Sequence, residues 1–290
     1  MKGLDNKWIY LAILSVIWGS SFILIKKALI GLTPLQLGAL RIIFAGTFLF
    51  IIGFSKLKTI TKREWKWIIL SGFVGTFIPA FLFAFAETEI DSAIASVLNS
   101  TTPIMTLLLG ALLFAITFSR NQILGVIIGL LGSLLLVWSG SELHPDQNYW
   151  YSGLVMIASI CYAVNVNVLK RYLQNVSAMT ITVGQFAIIF IPALIVLSFS
   201  GFFEETTLSS ENLMPSLGFL LILGVVGTGV AKILFNSLVH MSTPVFASSV
   251  TYTIPIVALL WGLLDGEHFS LIQMGAAVII LIGVLLANKS

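Results

Sequence analysis

The sequence predicts an all-α polytopic membrane protein, with ten transmembrane helices built as two inverted five-helix repeats. Three observations carry this. Hydrophobic residues make up 58% of the chain and charged residues 9%, whereas a soluble domain carries about 25% charged residues. The basic residues gather on alternate connections. The second half of the chain repeats the first.

A spanning helix needs about 20 mostly apolar residues. In chain order the apolar runs are 7–28, 34–54, 66–86, 92–117, 121–140, 149–169, 178–200, 215–239, 244–264 and 270–287. The first run lacks a small-residue cleavage site followed by a polar domain, so it reads as a retained helix rather than a signal peptide. Connections are short except 201–214, which is longer and acidic. The single cysteine, Cys161, lies inside a span, which excludes a disulfide framework or a cysteine metal site.

Orientation follows from lysine and arginine. With the N-terminus in the cytoplasm, Lys2, Lys7, Lys56, Lys58, Lys62, Arg63, Lys66, Arg120, Lys170, Arg171 and Lys289 all fall inside, and only Lys26 and Lys27 fall outside. Both termini are then cytoplasmic. The outward pair is explained by the internal repeat. Residues 72–104 match 224–256 without a gap, aligning Gly72, Gly75, Thr76, Phe83 and Pro103 with Gly224, Gly227, Thr228, Phe235 and Pro255. The opening helix matches at an offset of 144, so Trp18 answers Tyr162, and Lys26–Lys27 answer Lys170–Arg171. Five spans per copy is an odd number, so the second copy enters from the opposite side. The expected units are 1–140 and 149–290. Inverted repeats serve alternating access around a site between the halves.

Polar groups inside spans are costly and face the bundle interior or a water-filled cavity. Trp18 and Ser21 share a face of span 1, and Tyr162 and Asn165 hold the same places in span 6. The pair suggests one cavity lined twice, against the alternative of helix packing at Gly19 and Ala163. Span 8 sets Thr228, Lys232, Phe235 and Asn236 along one face; Lys232 either meets substrate or snorkels to the cytoplasmic surface. Asn99 and Thr102 precede Pro103, and Thr251 and Tyr252 precede Pro255. Each proline frees a carbonyl and makes a gating hinge or shapes the bundle. The substrate-binding set expected is therefore Trp18, Ser21, Asn99, Tyr162, Asn165, Lys232, Asn236 and Tyr252, with Pro103 and Pro255 as gates. Arg41 is expected to pair with a loop carboxylate or backbone carbonyls near the outer surface, with substrate contact as the alternative, and its depth sets it apart from Lys232. Glu87 and Glu89, ending span 3, are expected to be solvated.

"WGSSF" in span 1, "LRIIFAG" in span 2, "ASVLNSTTPIMTLLLGALL" and "ASSVTYTIPIVALLWGLLDGE" resemble the EamA type of the drug/metabolite transporter superfamily over essentially the whole chain. The resemblance implies a ten-helix exporter of metabolites, similar to amino-acid exporters, in a bacterial inner membrane. One departure stands out: the Gly-Glu that tends to end the fourth helix of each repeat is present as Gly266–Glu267 but is Ala115–Ile116 in the first copy.

No phosphate-binding loop is present, so ATP is not the driver. His144, His240 and His268 lie apart, no catalytic triad is discernible, and no basic extramembrane domain suits nucleic acid. The expectation is a non-enzymatic secondary transporter without cofactor or metal. Its partners are a small-molecule substrate and the lipid bilayer, with proton coupling or exchange left open. The rivals are an intramembrane enzyme acting on a lipid or polyprenyl substrate, and a phosphate-sugar antiporter.

Overall fold

A computed structural model describes residues 2–90, 92–138, 148–264 and 271–287. Asp91, His144, Gly266, Glu267 and His268 lie outside them. Every long element among the described residues is helical. Seven helices are long and apolar enough to cross a bilayer: α1 (Asn6–Ala28), α2 (Pro34–Thr59), α3 (Lys62–Ala86), α4 (Ala95–Phe114), α6 (Ser152–Tyr172), α7 (Ala178–Ser198) and α8 (Leu213–Met241). Three shorter apolar helices complete the set: α5 (Arg120–Leu135), α9 (Pro244–Val257) and α10 (Met274–Ala287). The molecule is a multi-pass membrane protein.

Helix starts are written locally. Thr33 caps α2 by accepting from the Gln36 backbone, with Pro34 in the first turn, and Gln36 returns the bond to the Thr33 N–H. Ser177, 144 residues later, caps α7 in the same way by accepting from Thr180. Thr61 and Glu64 form a second reciprocal cap on α3.

The two halves of the chain interleave. α3 packs on α6 and α7, and its counterpart α8 packs on α1 and α2. α4 packs on α6, and α9 packs on α1. α2 meets its own counterpart α7, and α5 meets α10. Polar side chains gather on these inner contacts, while Ile51, Leu112 and Phe199 turn outward, the arrangement that a surrounding hydrocarbon solvent favours.

Two irregularities recur in both halves. α3 winds through a π-helical turn at Phe73–Phe77, and α8 does so at Val225–Val230. These turns sit at matching places in the repeat, and π-turns concentrate at functional sites. The helix containing α4 is interrupted at Ser100 and Thr101, just before Pro103. α9 is interrupted at Ser249, with Pro255 inside the segment that follows. The two interruptions touch, because the Ser100 hydroxyl donates to the Thr251 carbonyl at 3.0 Å.

α5 and α10 approach to backbone contact. A Cβ on Gly283 would lie 2.5 Å from the Gly129 nitrogen, so this position accepts hydrogen alone, as in small-residue packing between membrane helices. A Gly283→Val substitution is expected to destabilise the protein by about 1–3 kcal/mol through overpacking. It would show as a lowered thermal midpoint in detergent. Gly275→Ala on the same helix, where a Cβ meets nothing within 4 Å, should leave the midpoint unchanged.

Candidate functional site

A cavity of about 90 Å³ lies where the halves interleave. α1 contributes Trp18, Ser21 and Phe22, and α2 contributes Arg41. α3 adds Gly75, Thr76, Ala80 and Phe83, and α4 adds Asn99 and Thr102. α6 adds Tyr162 and Val166, α8 adds Gly227, Thr228, Lys232 and Phe235, and α9 adds Ser248, Val250, Thr251 and Ile254. No residue of α5, α7 or α10 lines it among the described residues.

The wall is largely made of twinned positions. Trp18 and Tyr162 answer each other across the two copies, as do Phe22 and Val166, Thr76 and Thr228, Phe83 and Phe235, and Asn99 and Thr251. The π-turns present their backbone to the partner half. Gly227 O accepts from Trp18 Nε1 at 3.1 Å, and Gly75 O accepts from Lys232 Nζ at 2.5 Å. Their lack of side chains matters: a Cβ on Gly75 would lie 2.5 Å from the Asn165 Cγ, and one on Gly227 3.0 Å from the Ser21 Oγ. The Trp18 ring lies tilted at 53° and 5.1 Å from the Phe235 ring, and Phe83 lies 5.9 Å from Phe22 and 6.1 Å from Tyr162.

The structure brings Trp18, Ser21, Asn99, Tyr162 and Lys232 to one cavity. Lys232 does not snorkel; it is buried, with its amine on the Gly75 carbonyl. Three residues expected in the substrate-binding set lie elsewhere. Asn165 lies outside the lining and accepts from Ser71 Oγ. Asn236, one turn past Lys232, donates to Thr182 Oγ1 at 2.9 Å on α7. Tyr252 points away to α5, its hydroxyl on the Val126 carbonyl at 2.7 Å and its ring against Gly129. Pro103 and Pro255 shape the chain near the wall without lining it.

Two expectations about charge are corrected. Arg41 reaches inward rather than to the outer surface, and its Nε donates to Thr228 Oγ1 at 2.7 Å. Thr228 lies four residues before Lys232, so both cations belong to one cavity in spite of the depth at which their backbones start. Glu87 is buried rather than solvated; one oxygen accepts from Ser92 at 2.9 Å and the other, Oε1, has no hydrogen-bond partner. It lies within electrostatic range of Arg41 but outside the lining.

Behind Gly75 runs a polar chain that the spacing arguments missed. Ser71 donates to Asn165 and accepts from Gln185 Nε2 at 2.5 Å. Gln185 is the repeat counterpart of Arg41 by the offset of 144, and that correspondence was the available signal.

A family model described as the EamA-like transporter family matches residues 6–138 and 150–289. No curated protein matches the sequence. A solved structure, described only as a crystal structure of a protein, is similar with a TM-score of 0.74 at 17% identity, covering 98% of this chain and 96% of that one. At that identity the likeness speaks for the fold alone.

Ser71→Ala would leave the Asn165 Oδ1 and the Gln185 amide without this partner. The expected cost is about 1–3 kcal/mol for stranding buried polar groups, read as a lowered thermal midpoint. Ser209→Ala, at an exposed position, should not change it.

Proposed function

The chain belongs to the EamA-like transporter family, and we propose that it is a secondary carrier exporting small amphipathic metabolites, amino acids or their relatives, across the cytoplasmic membrane by alternating access. One observation carries the reading: a cavity where the halves interleave is walled largely by matching positions from both. A site shared between two similar halves can be exposed to either side when one half rocks against the other. α5, α9 and α10 complete ten crossings with the seven longer helices, and five crossings per half invert the second copy. The excess of lysine and arginine on one set of connections supports cytoplasmic termini.

Trp18, Ser21, Tyr162, Asn99 and Lys232 are the substrate contacts of this reading, joined by Arg41 and Thr228. Asn165 and Asn236 act behind them, as supports for Gly75 and for the α7–α8 contact. The interruptions beside Pro103 and before Pro255 are hinges, because a helix that lacks continuous backbone bonding bends there at low cost. Transport is driven either by exchange or by protons, and Glu87 is the carboxylate placed to contribute to the latter. The intramembrane-enzyme alternative gains no support from the cavity, which no carboxylate or histidine lines among the described residues.

Purified protein in vesicles should move labelled solutes from an amino-acid and organic-acid panel without altering them chemically, measured by counterflow with and without a pH gradient. Replacing Trp18 and Tyr162 together by alanine should reduce the rate about tenfold or more, given roughly 0.5–1.5 kcal/mol per aromatic contact beyond area burial. Undiminished flux would refute the placement of the site. Sidedness is read separately, by single cysteines in a Cys161→Ser background. Cysteine at Ser209 should react with an impermeant reagent added outside intact cells, and cysteine at Thr59 should react only after permeabilisation.

A further inference from the structure

The cavity is twinned in its apolar wall and untwinned in its charge. Where α8 carries Lys232, the matching place on α3 is Ala80, and both line the wall. Where α2 carries Arg41, the matching place on α7 is Gln185, outside the lining. The two cations therefore fall on one side of a wall that is otherwise nearly symmetric. Arg41 binds Thr228, four residues before Lys232 on α8, and the two cations lie within electrostatic range of each other.

No carboxylate lines the cavity among the described residues. Of the five N–H groups of a guanidinium, Arg41 spends the one on Nε against Thr228. The four on its terminal nitrogens make no hydrogen bond to a described side chain or carbonyl. Lys232 spends one of its three on Gly75 O. Thr76 adds a buried hydroxyl with no partner at the same wall. Buried Glu87 offsets part of the Arg41 charge from outside the lining, but the donors that face the cavity from both cations are left over, and such donors call for an anion there.

Resting on the carrier reading above, and narrowing its amino acids and relatives to the relatives that lack the ammonium group, we propose that the solute is a small organic carboxylate with an apolar body. Its carboxylate lies between Arg41 and Lys232, with Thr76 as a further donor. Its body lies against Trp18, Phe83, Tyr162 and Phe235. An α-ammonium group would sit beside two cations with no lining acid to receive it. A phosphate dianion would bring more charge and more oxygens than this largely apolar wall can satisfy. The volume of about 90 Å³ equals the liquid share of roughly three waters, which favours an acid of small skeleton.

The test uses matched solutes on one carbon skeleton, 4-methyl-2-oxopentanoate and leucine, with inorganic phosphate as a competitor. Binding is read as ligand-induced thermal stabilisation and by equilibrium competition on the purified full chain, and flux by counterflow in vesicles. The oxo acid should bind about tenfold or more tightly than leucine, and phosphate should not displace it. Arg41→Gln and Lys232→Met should each weaken the oxo acid about 10- to 100-fold, the range for losing a charge-assisted bond, and abolish the preference over leucine. Lys232→Met should also raise the thermal midpoint of the ligand-free protein, since it replaces a buried charge by an apolar chain of similar length, and so reports that the variant folds. Equal or tighter binding of leucine, displacement by phosphate, binding of neither solute, or variants that keep the preference would each overturn the proposal. If the oxo acid binds as expected and crosses no vesicle membrane, the site stands and the carrier reading falls. If leucine crosses and the oxo acid neither binds nor crosses, the carrier reading stands and the anion assignment falls.

Discussion

Hydrocarbon offers no hydrogen bonds, so each hydroxyl, amide and charge in these helices must find its partner in protein or in a water-filled space. That constraint organises the molecule. It turns Ile51, Leu112 and Phe199 outward, draws Ser71 and Gln185 into a bond between the two halves, and draws Thr182 and Asn236 into one between neighbouring helices of the second half. It also explains why the halves interleave. A half standing alone would expose Arg41 or Lys232 to lipid; interleaved, Arg41 of the first half binds Thr228 of the second, and Lys232 of the second binds Gly75 of the first. The cavity is the part of this shared interior that side chains do not fill.

Hydropathy alone made the helices legible, and the internal repeat made the location of the cavity legible. The pairing of Trp18 with Tyr162 needed no coordinates, because two residues at equivalent places in a doubled chain converge if the copies meet. What spacing could not resolve was the last step, from a helix face to a wall. Asn165, Asn236 and Tyr252 each lie next to wall residues in sequence, yet all three point into helix contacts instead. A cavity takes only a narrow arc of each helix, and one position is about 100° of rotation. The π-turns compound the error by shifting the faces of α3 and α8 downstream of Gly75 and Gly227. Depth arguments failed for a related reason: they counted from Cα positions, and an arginine side chain is long enough to carry its charge to a neighbouring helix.

The twinned wall and the untwinned charges serve different ends. In the carrier proposed here, matching apolar surfaces would let one half move against the other with little change in contact. Cations contributed one by each half, both on the α2–α8 side of the wall, would give a bound anion an orientation. Duplicating Lys232 onto α3 would place more like charge in the same small space, so the asymmetry is also what keeps the buried charge tolerable.

The π-turns carry a mechanical consequence. Each stores one residue beyond the α-helical count, and so holds the segment after it out of phase with the segment before. If such a turn relaxed to α geometry, the following segment would screw round by about 100° and advance about 1.5 Å. On α3 this would withdraw the Gly75 carbonyl from Lys232 and swing Phe83; on α8 it would withdraw Gly227 from Trp18 and swing Phe235. In either half, such a relaxation would shift the aromatic wall and break the polar contact in one movement.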